Sequence, residues 1–213
     1  MPTQITIMSR DEEILRTLTT KVRLFSLRQI ANLWWNGDLA NTRRRLRQLT
    51  EAELLLSAKV LARPILELNG PIVDWRPGNL NPDFGKIANI CQSRIRRIPV
   101  RTTGVFIATA RTARLFGGRC RGELTHPAQA THDLGVAAVW IHFSVNGPEI
   151  AASWVGEDIL SVTRAGQKCP DAFILGGDGS VTSVVEFGGD YDRNRIQAFH
   201  DDCLHRILPY QLW

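Results

Sequence analysis

The stretch CPDAFILGGDGSVTSVVEF, residues 169–187, admits few folds. Two apolar runs rich in β-branched and aromatic residues flank GGDG, so the chain must reverse there, and Asp178-Gly179 is a strong hairpin-turn signal. A hairpin centred on that pair matches residues whose numbers sum to 357. Asp171 and Glu186 then face each other on one side of the sheet, with Cβ atoms about 5 Å apart. Like charges placed so are unfavourable unless they share a proton, meet a cation, or bind a divalent metal through oxygen. A ligand pair accounts best for the spacing.

The surrounding sequence supplies further elements. THDLGVAAVWIHF (131–143) reads as a buried helix opening on His132 and Asp133, where an acid stabilises the exposed N–H groups of the first turn. IAASWVGEDI and LSVTRA read as strands. Asp192 can cap a final helix whose apolar stripe is Ile196, Phe199, Cys203 and Ile207.

Charge divides the chain. Residues 1–120 carry 20 Lys and Arg against 9 Asp and Glu, whereas residues 121–213 carry 6 against 12. A basic first half points to a polyanionic partner. Arginine outnumbers lysine 22 to 4, which reflects either codon bias or guanidinium contacts to phosphates and guanine edges, and arginine placement must decide.

That placement is informative between residues 9 and 76. SRDEEILRTLTT has a capping serine and acids in its first turn, so it reads as a helix. Ser26 and Gln29 form a capping box for a second helix that Asn36-Gly37 breaks. Asp38 caps a third, LANTRRRLRQL, in which Leu39, Thr42, Leu46 and Leu49 share one face. Ala40, Asn41, Arg44 and Arg47 lie opposite, with Arg43 and Arg45 on the flanks. LLLSAKVLARPILELNGPIVDW follows, a β-rich stretch whose Asn69-Gly70 suggests a hairpin.

This order of elements resembles a winged helix-turn-helix. The resemblance implies double-stranded DNA as partner, with Asn41 and Arg44 reading base edges and Arg43, Arg45, Arg47, Lys59 and Arg63 meeting phosphates. A solvated helix face or a protein-docking surface is the competing reading. Between the halves, Asn81-Pro82 starts a helix through DFGKIANICQSRI, RIRRIPVR adds an arginine cluster, and GVFIATARTARLFGG is a helix or a strand followed by a short helix.

Asp171 in PDAF, Glu186 in VVEF and the preceding acid Glu157 resemble the metal-binding core of the PD-(D/E)XK nuclease superfamily. With the N-terminal helices and the HDL segment, the chain resembles more narrowly the replication-relaxation family of plasmid and mobile-element proteins. The fold so implied is α+β: a winged helix-turn-helix over residues 8–80, a helical connection over 81–130, and a nuclease-like domain with a mixed sheet over 131–213. Glu157, Asp171 and Glu186 would hold Mg2+ or Mn2+, and His200 joins them as a catalytic candidate if the domain is active. The motif departs at Gly188, where the superfamily has lysine. Lys168 points to the other sheet face in a regular strand, which leaves Arg193, Arg195 or His200 to supply the missing charge. His200 also reads as a hydrogen-bonded core histidine. Two functions stand side by side: a DNA-binding protein controlling replication, transfer or transcription with a degenerate nuclease-like domain, and a magnesium-dependent DNA endonuclease.

Other classes are disfavoured. The apolar run Leu134–Phe143 falls well short of the roughly 20 residues a membrane span needs, and no signal pattern opens the chain, so a cytoplasmic location is expected. Cys91, Cys120, Cys169 and Cys203 are scattered without metal or disulfide spacing and read as small buried residues. No Ser-His-Asp constellation, P-loop or dinucleotide fingerprint competes. The closing PYQLW either tucks into the second domain or docks a partner, and a homodimer or protein partner is expected through that acidic domain.

Overall fold

A computed structural model describes residues 5–64, 68–120, 127–160 and 169–213. The chain is a mixed α+β fold with two sheets. Its first helices are α1 (Ser9–Thr20), α2 (Leu27–Trp34) and α3 (Leu39–Glu51), with the two-residue strand β1 (Phe25–Ser26) between α1 and α2. Local chemistry sets these boundaries. Ser26 accepts from the Gln29 N–H while the Gln29 side chain accepts from the Ser26 N–H, completing the capping box. Asp38 accepts from the N–H groups of Ala40 and Asn41 at the head of α3. For α1 the cap position falls to Met8, whose N–H is held by Asp11 three residues on.

The first sheet joins β1, β2 (Leu55–Ala62) and β4 (Arg101–Ala108) in the order β1-β4-β2, antiparallel throughout. The partner of β2 is therefore not the segment after Asn69-Gly70, as the turn signal suggested, but a strand some forty residues later. GVFIA lends Val105, Ile107 and Ala108 to the core, and the segment expected as the second hairpin strand becomes β3 (Val73–Trp75) in the other sheet. There the buried Trp75 stacks on Tyr210 at 5.4 Å. A two-residue turn signal stabilises a reversal weakly; burying a tryptophan against a tyrosine outweighs it.

The second sheet has the order β3-β8-β7-β6-β5, with β5 (Trp154–Gly156), β6 (Ala172–Leu175), β7 (Val181–Glu186) and β8 (Tyr210–Leu212). All pairs are antiparallel except β7 with β8. Helices α6 (Pro127–Asn146) and α7 (Pro148–Ser153) serve one face; α4 (Phe84–Arg97) and α9 (Arg193–His205) serve the other. Strand alternation feeds both: Ala172 and Ile174 face the α6 side, Phe173 and Val184 the α4/α9 side. The remaining helices are α5 (Ala110–Phe116), stopped by Gly117 at φ +77°, and α8 (Glu157–Leu160).

Several expectations shift. The buried helix begins four residues before Thr131, so His132 and Asp133 lie in its second turn rather than at its head. IAASWVGEDI is helical up to Ser153 and again from Glu157, with only Trp154–Gly156 extended; Pro148 after Gly147 starts the helix instead. Most of LSVTRA, and Lys168, lie outside the described residues. Helix α4 is capped by Asp83 rather than begun at Asn81. Ile207 falls beyond α9 at φ +56° and is 73% exposed. The C-terminal Tyr210, Leu212 and Trp213 are buried, and so are Cys91 and Cys203, while Cys120 and Cys169 are half-buried.

The main core draws on both sides of residue 130. Ile14, Leu15, Leu46 and Leu49 from the first helices pack in one cluster with Val136, Trp140, Trp154 and Phe187. Hydrogen bonds reinforce the join: Gln29 donates to the Leu134 carbonyl at 3.0 Å, and Trp154 donates to the Lys21 carbonyl at 3.0 Å. Among the described residues no helix is long and apolar enough to cross a membrane.

Candidate functional site

Strands β6 and β7 pair Ala172 with Val185, Phe173 with Val184 and Ile174 with Ser183. Their end brings Asp171 and Glu186 together, as the sum of 357 requires. The turn itself differs from the two-residue type, because only Gly179 has positive φ (+80°) and Gly176 donates to the Ser180 carbonyl across a longer loop. Leu175 consequently pairs with Val181, and a bulge at Thr182 absorbs the slip; its hydroxyl donates to the Ile174 carbonyl.

The two carboxyl groups are woven into one network. The Asp171 N–H donates to Glu186 Oε2 at 3.1 Å, and the Phe187 N–H donates to Asp171 Oδ2 at 2.8 Å. His132 Nε2, from α6, lies 2.7 Å from Asp171 Oδ1. The Tyr191 hydroxyl donates to Glu186 Oε1 at 2.6 Å and in turn accepts from Arg195 at 3.0 Å. Arg195 also lies over the Tyr191 ring, 3.8 Å from its centre.

Burial opposes a charge on His132, but the Asp171 carboxylate beside it overrides that cost, with help from Glu186 and Asp133, and lifts the imidazole to about 9. Glu186 is pushed well above the usual carboxylate range, first by its burial and then by the Asp171 charge. Burial likewise raises Tyr191 far above an ordinary phenol, so it acts as a neutral donor. The like-charge problem posed by the sequence is met twice, by a protonated histidine beside Asp171 and by the stronger hold of Glu186 on its own proton.

A second cluster adjoins the first. Arg23, in the segment after α1, forks onto Asp158 with two contacts of 2.9 Å, reaches Glu157 Oε2 at 2.6 Å, and lies 3.4 Å from Asp133. Asp133 is 3% exposed, and burial pushes its carboxyl up to about 6. The Glu157 N–H donates to the Asp171 carbonyl at 2.9 Å, which ties the clusters together. They share a cleft of about 520 Å³ that Glu157, Asp171 and Glu186 line with His132, Tyr191, Arg23, Arg63 and Arg195.

All three sequence-chosen acids thus reach one cleft, yet as arranged they do not fit a divalent cation. Each oxygen of Asp171 and Glu186 already accepts a hydrogen bond from the protein, and Glu157 is held by Arg23. Magnesium, which takes oxygen ligands at about 2.0–2.1 Å in octahedral array, would have to compete with His132 and the Tyr191 hydroxyl for these oxygens. Among the described residues no group of three or more His, Cys, Asp or Glu side chains converges as a ligand set.

The position of the missing lysine is closed as well. A Cβ on Gly188 would stand 2.5 Å from Cys91 Sγ and 3.2 Å from Leu212, so the residue faces packed core and not the cleft. His200 is fully buried between Trp75, Phe84 and Tyr210, with ring nitrogens 3.1 Å from the Tyr210 hydroxyl and 3.3 Å from Asn81. It does not line the cleft and behaves as the hydrogen-bonded core histidine. Of the three residues considered as a source of positive charge, Arg195 is the one that lines the cleft. Sequence reasoning missed Arg23 and Tyr191 and took His132 for a helix-start residue. One signal was present for His132: α6 is buried continuously from Asp133 to Trp140, and polar groups beside such a run need partners.

On α3, Thr42, Leu46 and Leu49 are buried, with Asn41, Arg43, Arg44 and Arg47 exposed opposite. Arg44 donates to Asn41 at 2.9 Å, so the two side chains expected to read base edges lie side by side. Arg45 instead turns back onto Asp11 and the Thr6 carbonyl. Lys59 is exposed on β2, whereas Arg63 is half-buried at the cleft, donating to the Ile98 carbonyl. Arg10 lies 4.5 Å over Trp35 near the head of α3, in a groove with Asn41 and Arg44.

Comparison with family models, with curated proteins and with solved structures found no match.

Proposed function

We propose that this chain is a DNA-binding protein of a plasmid, phage or other mobile element that controls replication, transfer or transcription, with a nuclease-like domain that is degenerate. The observation that carries the reading is α3: one face buried by Thr42, Leu46 and Leu49, the other presenting Asn41, Arg43, Arg44 and Arg47 to solvent. Support comes from its setting. Three helices in sequence and a small antiparallel sheet of order β1-β4-β2 are compatible with a winged helix-turn-helix, a motif that presents its third helix to a major groove. Arg44→Ala combined with Arg47→Ala is expected to weaken binding to linear duplex DNA by about 1–3 kcal/mol, or roughly tenfold to hundredfold, and to flatten its salt dependence by about one phosphate contact. An unchanged affinity and salt slope in a gel-shift titration would remove α3 as the reading helix.

A second reading, a Mg2+- or Mn2+-dependent DNA endonuclease, is favoured by one observation: Glu157, Asp171 and Glu186 share a cleft. Incubation of supercoiled plasmid with either metal, beside an Asp171→Ala, Glu186→Ala double variant, separates the two readings. We expect no variant-sensitive nicking. Nicking by the natural chain that the double variant lacks would promote the enzyme.

A further inference from the structure

We infer that the Asp171–Glu186 centre is closed by a side chain of its own, with the His132 imidazole occupying the place a divalent cation would take. The inference rests on reading this cleft as nuclease-like and concerns what fills it. Four hydrogen bonds use the four carboxyl oxygens: His132 and the Phe187 N–H on Asp171, the Tyr191 hydroxyl and the Asp171 N–H on Glu186. Two of these donors are backbone and cannot leave without unzipping the end of the hairpin. The other two are held from behind. His132 stacks on Tyr191 at 6.3 Å and meets the edge of Phe187 at 5.7 Å, while Tyr191 is fixed by Arg195. The adjoining acid is treated likewise, since Glu157 meets the Arg23 guanidinium at 2.6 Å. Side chains from two distant parts of the chain, His132 of α6 and Arg23 after α1, thus engage acids that the nuclease resemblance assigns to a metal. The consequence is a latent cation site that His132 keeps shut, in a cleft whose rim presents Arg63 and Arg195.

The test is Mn2+ binding to the full chain at neutral pH, read by electron paramagnetic resonance of unbound Mn2+ and by the shift in Tm. The natural chain is expected to show no stoichiometric binding and no Tm shift at millimolar Mn2+. His132→Ala opens the space and exposes Asp171 Oδ1, so it is expected to bind one Mn2+ roughly tenfold or more tighter than the natural chain, because ligand charge and access set the affinity of an oxygen site. Adding Asp171→Asn to that variant should abolish the gain. Stoichiometric binding by the natural chain that Asp171→Asn removes would overturn the inference. A folded His132→Ala chain that gains no Mn2+ affinity would overturn it too, since the imidazole would then not be what excludes the ion. Should His132→Ala fail to fold, His132→Asn is the second variant, and the natural chain's own result still decides. These outcomes do not touch α3, so failure of the DNA-binding reading is distinguishable from failure here.

Discussion

Replacing Arg23 by alanine is expected to destabilise the protein by about 3–5 kcal/mol at neutral pH, the usual cost of stranding buried charges. The guanidinium is 19% exposed and serves three carboxylates at once, of which Asp133 is 3%, Asp158 16% and Glu157 29% exposed. Lysine cannot substitute, because an ammonium lacks the fork that engages both oxygens of Asp158 while reaching Glu157. Methionine would fill the volume and still leave the acids facing one another. The penalty also has a sign in pH. Burial already raises Asp133 to about 6, above its unfolded value of 3.8, so its protonated form favours folding; that contribution is full below 3.8 and lost as pH rises through 6. Without Arg23 the carboxyl is driven higher still. The loss on mutation should therefore shrink from pH 7.5 to pH 5, as Asp133 takes up a proton and the stranded charge disappears. Urea unfolding at the two pH values measures both terms. A loss below about 1 kcal/mol, equal at both, would mean that this cluster contributes no more than exposed ion pairs do.

Gly135→Ala should destabilise the fold even though alanine is the better helix former. Intrinsic propensity favours alanine by about 1 kcal/mol in a helix interior. Against that, a Cβ on Gly135 would stand 2.2 Å from Cε1 of Phe187 and 2.3 Å from Cζ. Phe187 is 1% exposed, carries Arg94 over its ring at 4.8 Å, and donates its N–H to Asp171, so it cannot retreat without moving the cleft. Overpacking of this kind costs about 1–3 kcal/mol and occasionally more, and with so deep an overlap we expect it to win by about 2 kcal/mol. Pairing the change with Phe187→Leu should recover part of the loss, a positive coupling that a double-mutant cycle reads directly. A raised Tm for Gly135→Ala alone would show that α6 and Phe187, just past the end of β7, are not pressed together there.

Both residues illustrate how the site is assembled from afar. The hairpin, its register at Asp171 and Glu186, the caps at Ser26, Asp38 and Asp192, and the inner face of α3 were all legible, because each follows from one turn, one cap or one helical or strand repeat. The strand partner of β2 was not legible, and the local Asn69-Gly70 signal pointed the wrong way. Nor did any spacing announce Arg23, 134 residues from Glu157, or Tyr191, whose hydroxyl meets Glu186 from the loop after β7.

The amino-acid order alone determined that two carboxyl groups would meet at the end of a glycine-turned hairpin and that arginines would line the outer face of a capped helix. Only the tertiary structure decided what those carboxyl groups touch. Local hydrogen-bonding and strand alternation fix a residue's face and register whatever surrounds it. A buried charge, by contrast, is tolerable only beside an opposite one, and the chain found its opposites, His132 and Arg23, on elements that packing rather than sequence proximity brought near.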